Sequence, residues 1–159
     1  MEPEIRVDPV DFLRDLYKSD IPYLLVGRHA LALLGAPLIT ADYDFYLSPE
    51  IEHLDDLLAL AGKLRLECSV KNPRTRPIFS LLCDTAKFDF FRLREYRTQD
   101  GESFTFASIF GRKRTLELED FAVYIPRIED LIRIKRVRNA PKDREDIKYL
   151  QVLLEREND

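Results

Sequence analysis

The sequence predicts an α/β (α+β) fold in which a mixed β-sheet is flanked by helices. Three observations carry that reading. Helical and strand-like segments alternate along the chain, several strand-like runs follow one another between residues 65 and 93, and Gly, Pro and Asn clusters punctuate them. At 159 residues the chain can bury about two-thirds of its unfolded surface, so one domain over 1–159 is expected. Its core falls over about 8–126, with a helical extension over about 127–156.

The first helix is predicted over 8–18, where Phe12, Leu13 and Leu16 form an apolar stripe. An apolar strand over 23–26 runs into Gly27, and a helical segment follows over 29–34. The next strand carries Asp42 and Asp44. Ser48 and Pro49 read as N-cap and first position of a helix over 49–63, with Leu54, Leu57, Leu58 and Ala61 on one face. Strands are expected over 65–70, 78–83 and 88–93, and turn chemistry marks loops over 71–77 and 97–102. A short aromatic helix is expected over 104–110, then a strand pair over 115–118 and 122–125 around Glu119 and Asp120. Helices over 128–137 and 142–156 close the chain, broken at Asn139-Ala140-Pro141, with a frayed tail over 155–159.

Candidate chemistry starts at the acids. Period-two alternation puts Asp42 and Asp44 on one face of their strand, where two carboxylates repel unless a cation joins them. Oxygen-only pairs suit Mg²⁺, which takes one or two carboxylates and completes its shell with water and phosphates. Asp89 interrupts the apolar run Lys87–Phe91, where an unpaired carboxylate would be costly. It is either ion-paired with Lys87, two positions away, or a third metal ligand beside Asp42 and Asp44. Gly27, between a strand and a helix, has the setting of a phosphate-binding turn or simply of a tight turn. His29 reads as a surface or packing residue.

Together these residues resemble the nucleotidyltransferase superfamily, whose signature is a Gly-Gly or Gly-Ser pair, a helix, Asp-x-Asp, and a third Asp on a neighbouring strand. More narrowly the chain looks like the AbiEii-type branch of toxin–antitoxin and phage-defence systems. That branch tends to read Ala-Leu-x-Leu, then Gly, then Thr or Ser before the first Asp. The matching positions are Ala30-Leu31-Ala32-Leu33, Gly35 and Thr40. The C-terminal part continues the likeness with Glu129-Asp130-Leu131, a helix carrying Lys135, and Lys142-Asp143 followed by Asp146. The match covers about residues 20–155. It departs at Arg28, which stands where the second small residue of the glycine pair is expected. Arginine there either adds a phosphate-binding guanidinium or fills the pocket.

The resemblance implies a nucleotidyltransferase-like core with a short C-terminal helical extension. It also implies transfer of an NMP from an NTP to a hydroxyl of a tRNA, protein or small molecule. Two Mg²⁺ ions about 3.5–4 Å apart would sit among Asp42, Asp44 and Asp89. The catalytic set would be Asp42, Asp44, Asp89 and Lys135; Gly27, Arg28, Lys135 and Asp146 would hold the nucleotide. A cognate toxin or antitoxin is the implied partner. Two other classes compete: a catalytically inactive binding or antitoxin partner, favoured by Arg28, and a regulatory domain docking through the aromatic stretch over 104–110. Lys142, Asp143 and Asp146 also fit a plain helix start, with acids at the positive dipole end.

Composition narrows the setting. No run of about 18 apolar residues is present to span a membrane. The start, Met-Glu-Pro-Glu-Ile, lacks a signal-peptide apolar core, so a cytoplasmic location is expected. Cys68 and Cys83 have no metal-site spacing and read as reduced core residues. A net charge of −4 argues against a general nucleic-acid coat. The basic residues Arg112, Lys113, Arg114, Arg133, Lys135, Arg136, Arg138, Lys142 and Arg144 read mainly as a solvated face balanced by Glu129, Asp130, Asp143, Glu145 and Asp146.

Overall fold

Period-two alternation in three aromatic strands decides how the chain packs. In the computed structural model, which describes residues 3–158, a five-stranded sheet joins β1 (Tyr23–Val26), β2 (Tyr43–Leu47), β3 (Glu67–Cys68), β4 (Ile78–Leu82) and β5 (Lys87–Phe91). Its order is β1-β2-β5-β4-β3. β2 and β5 run parallel and all other neighbours antiparallel, so the sheet is mixed, as predicted.

The register pairs Phe45 with Phe90 and Phe90 with Phe79, which gathers these rings on one face. α1 (Pro9–Lys18) covers it. Asp8 caps this helix by accepting the Val10 N–H at 2.8 Å. Phe12 then stacks on Phe88 at 4.1 Å and meets Phe45 edge-on at 5.9 Å. The opposite face carries Asp44 and Tyr46 on β2, Asp89 and Phe91 on β5, and Ser80 and Ile78 opposite them on β4. Its aromatic end is covered by a ribbon of β6 (Glu95–Arg97) and β7 (Ser103–Thr105). Tyr46 stacks on Phe91 at 4.6 Å, and Tyr96 from the ribbon lies edge-on to both at 5.4 Å. The carboxylate end of that face stays open.

α2 (Gly27–Leu33) follows β1, and α3 (Ile51–Lys63) follows β2 with Leu54, Leu57, Leu60 and Ala61 buried. After α4 (Phe106–Gly111), β8 (Arg114–Glu117) and β9 (Ala122–Ile125) form a second ribbon. β9 lies against β1, with Tyr124 5.7 Å from Tyr23. α5 (Ile128–Arg138) ends at Asn139 in the left-handed region, φ +53°, and Pro141 starts α6 (Pro141–Glu157).

Several boundaries differ from the sequence reading. The strand expected over 65–70 shrinks to two residues, because Arg65 takes φ +60° in a turn after α3. Ser48 is not the N-cap of α3. Its hydroxyl accepts the Glu50 N–H and lies 2.6 Å from His53 Nδ1, while the helix starts at Ile51. The aromatic helix begins at Phe106, capped by Thr105, since Phe104 belongs to the ribbon. Both cysteines are free but only half-buried at the rim of the core. The tail expected to fray is helical through Glu157; Asp159 lies outside the described residues. No helix among the described residues is long and apolar enough to cross a membrane.

The C-terminal charges form a solvated face only in part: Glu129, Arg138, Lys142, Arg144 and Glu145 are exposed, but three acids are not. Asp130, Asp143 and Asp146 are buried, and each is held by cations. Asp130 accepts from Arg112 Nε and Nη2 at 2.6 and 2.7 Å and from Arg133 Nη1 at 2.7 Å, which ties the end of α4 to the first turn of α5. Asp130→Asn keeps the volume and removes the charge that orders both guanidinium groups. Its expected cost is about 1.5–3 kcal/mol, read as a lower urea midpoint at unchanged m-value.

Candidate active site

The open end of the sheet forms a cleft of about 410 Å³ between the strands and α5. Gly27, Asp44, Asp89 and Lys135 line it; Ile78, Phe91, Tyr96, Phe104, Ile134 and Val137 make its apolar wall. Burial pushes the Tyr96 phenol up to about 12, so this wall is neutral over any working pH.

β1 and β2 pair so that Val26 faces Asp44, and the chain must then turn sharply away into α2. Gly27 makes that turn at φ +69°. A Cβ there would lie 2.5 Å from Asp44 Oδ2 and 3.2 Å from Asp44 Cβ and Cγ. Glycine is needed twice, for the backbone angle and for the carboxylate lying against it.

Asp44 and Asp89 occupy paired positions on adjacent parallel strands, about 4.8 Å apart at the backbone. Burial, and next the Asp89 charge, push the Asp44 carboxyl above its usual range; Lys135 and Arg138 oppose this. Asp89 accepts a short hydrogen bond from the Ser80 hydroxyl at Oδ1, and Lys87 Nζ lies 3.7 Å from the same oxygen. The Lys87 ion pair read from the sequence is present, but it is long and Lys87 is exposed. The two carboxylates are the groups that could hold a hard cation, whose shell water and phosphates would complete.

A chain of charges runs along the α5 side of the cleft, with Asp143 and Asp146 buried and Arg138 exposed. Lys135 Nζ lies 3.0 Å from Asp146 Oδ2, close for an ion pair but off the hydrogen-bond angle, and 3.9 Å from Asp143 Oδ1. Arg138 grips Asp143 through Nε at 2.7 Å and Nη2 at 3.0 Å, and Asp143 also accepts the Ala140 N–H at 3.0 Å. Burial raises the Asp143 carboxyl, but the Arg138 and Ala140 bonds outweigh it and hold it below the usual range. The helix-start reading therefore holds for Asp143, whereas Asp146 is bound to Lys135.

Three sequence-predicted residues stay out of the cleft. Asp42 precedes the first strand residue, Tyr43, so alternation does not reach it; it is exposed, with its N–H bonded to Thr40 Oγ1 at 3.1 Å. The three-acid cluster is thus not assembled: among the described residues no group of three His, Cys, Asp or Glu side chains converges on a metal position. Asp146 lies behind Lys135. Arg28 does not fill the cleft; its Nη2 reaches Asp146 Oδ1 at 3.3 Å. His29 stacks on Tyr43 at 3.7 Å, and burial lowers its imidazole against the opposing pull of the Thr40 carbonyl and Asp42. It is a packing residue. Sequence reasoning missed Ser80, Tyr96 and Arg138. Ser80, a polar break in Ile78-Phe79-Ser80-Leu81-Leu82, carried a signal; Tyr96 and Arg138 carried none.

No protein-family model and no curated protein matches the chain. Solved structures do. The lincosamide antibiotic adenylyltransferase LnuA, solved with lincomycin bound, aligns with a TM-score of 0.64 at 13% identity, over 95% of this chain and 99% of that one. The chain has a nucleotidyltransferase fold. A Thermotoga maritima protein assigned to the nucleotidyltransferases gives 0.57 at 16% identity, over 94% and 92% of the two chains. An antigenic nucleotidyltransferase-like protein from Paracoccidioides brasiliensis gives 0.55 at 17%, over 88% and 72%. At these identities the likeness is one of fold, and on this nucleotidyltransferase fold the cleft with its two carboxylates is the candidate site.

Proposed function

We propose that the chain transfers an NMP from an NTP to a hydroxyl acceptor at this cleft. The observation that carries the reading is the convergence of Gly27, Asp44, Asp89 and Lys135, four residues distant in sequence, on one cavity. Asp44 and Asp89 would hold Mg²⁺, which would neutralise charge building on the α-phosphate and lower the pKa of the attacking hydroxyl. The hydroxyl oxygen attacks the α-phosphorus, pyrophosphate leaves, and Asp89 takes the hydroxyl proton. Gly27 lets the phosphates approach the backbone, and Lys135 supplies a cation beside them. The two-ion arrangement implied by the resemblance needs Asp42 as well; the carboxylate pair by itself fits one ion.

The run Ala30-Leu31-Ala32-Leu33, Gly35, Thr40 supports the AbiEii-type branch. Through it we propose a cytoplasmic toxin–antitoxin or phage-defence role with a cognate toxin or antitoxin as partner. Of the acceptor classes tRNA, protein and small molecule, the last is supported by LnuA, a lincosamide antibiotic adenylyltransferase of which 99% aligns. A second reading, nucleotide binding without turnover, is favoured by the position of Asp42 outside the cleft.

Thermal unfolding with Mg²⁺ and each of the four NTPs tests the site. One NTP at a hundredfold excess over Kd should stabilise the fold by about 2.7 kcal/mol. The shift should vanish in Asp44→Ala/Asp89→Ala. No shift with any NTP would sink both readings; a shift without pyrophosphate release on any acceptor would leave only the second.

A further inference from the structure

We infer that Arg28 is a positioning residue that frees Lys135 for the triphosphate by keeping Asp146 paired in its place. The inference rests on the proposed nucleotide site. Asp146 is fully buried and is shared by two cations, Arg28 at Oδ1 (3.3 Å) and Lys135 at Oδ2 (3.0 Å). Lys135 alone of the two borders the cleft. A Lys–Asp pair buried by itself would resist opening, because a Lys135 that turned to a phosphate would strand Asp146 without a countercharge. Arg28 removes that obstacle. It reaches Asp146 from the start of α2, on the opposite carboxylate oxygen, so the two contacts do not exclude each other.

The neighbouring charges point the same way. Asp143, the other acid near Lys135, is already gripped bidentately by Arg138 and lies 3.9 Å from Lys135 Nζ, so it does not hold the ammonium. Arg28, Lys135 and Asp146 together carry one surplus positive charge. That surplus faces the cleft through Lys135. A side chain that stands where the resemblance leads one to expect a small residue thus acts behind the site and leaves the phosphate position open.

Isothermal titration and NMR titration with magnesium tripolyphosphate, which probes the phosphate position without a base, test this in a double-mutant cycle. Arg28→Met should weaken binding about tenfold in the Lys135 background, and Arg28→Lys should restore most of it, within the range that coupled neighbours show. On a Lys135→Met background, Arg28→Met should have no further effect. An equal loss in both backgrounds would mean that Arg28 meets the phosphates itself, and would overturn the inference while leaving the nucleotide site intact. Unchanged binding in Arg28→Met would overturn it as well. Should Arg28→Met fail to fold, Arg28→Gln, which keeps a donor near Asp146, takes its place in the cycle with the same outcomes. If the unsubstituted protein binds neither tripolyphosphate nor any NTP, the inference falls together with the nucleotide site.

Discussion

Asp44→Asn will cut nucleotidyl transfer by about 10³-fold and yet raise the stability of the ligand-free fold at neutral pH. The rate loss follows from removing one of the two carboxylates proposed to hold Mg²⁺ opposite the α-phosphate, worth several kcal/mol of transition-state stabilisation. The stability gain has a separate cause. Burial and the adjacent Asp89 push the Asp44 carboxyl above its ordinary 3.8, so the folded state favours the neutral acid. The sign follows directly. Below 3.8 both states hold the proton and Asp44 costs nothing; as pH rises through the raised folded value, ionisation destabilises the fold. Asparagine never ionises. Its advantage should be absent near pH 3 and present in full at pH 7. Mg²⁺ should reverse the order by stabilising only the parent protein, and less so as protons compete for Asp44 in acid. Urea midpoints from pH 3 to 8, with and without Mg²⁺, measure all of this. A difference between the two proteins that does not change with pH would refute the charge argument.

The parts of this fold that can be read along the chain are those decided by local pattern. Tyr23–Val26, Ala122–Ile125 and α5 fall where apolar runs and turn residues put them. Asp44 and Asp89 were legible because each breaks an aromatic strand, and the paired register then brings them together. For Asp42 a single residue of strand boundary matters: the pleat starts at Tyr43, and alternation says nothing about a residue outside it. The ribbon of β6 and β7 was missed, with Arg97 read into a loop and Phe104 and Thr105 into the aromatic helix, because each strand is only three residues long; packing of Tyr96 on Tyr46 and Phe91 orders it. The buried acids were the least legible. Asp146 looks like any charge on a polar helix, and its partner Arg28 lies 118 positions away. Composition counts charges but does not pair them.

Gly27→Ala should destabilise the protein by about 2–3 kcal/mol and weaken Mg²⁺ binding. Two independent penalties add at this position. The left-handed backbone angle of +69° costs an L-residue about 1–2 kcal/mol. The new methyl would also meet Asp44 Oδ2 at 2.5 Å, so the carboxylate must move. These penalties separate in a double-mutant cycle, because only the second requires the Asp44 carboxylate. In an Asp44→Ala background, Gly27→Ala should lose only its backbone share, a coupling of about 1 kcal/mol. Full additivity in urea denaturation would mean that Asp44 swings aside freely, and then Mg²⁺ affinity should be untouched by Gly27→Ala. Coupling with weakened Mg²⁺ binding would instead mean that the glycine fixes the carboxylate. On that outcome the glycine of the sequence signature acts on the metal ligand first and on the phosphates second, because no side chain larger than hydrogen leaves Asp44 facing Asp89.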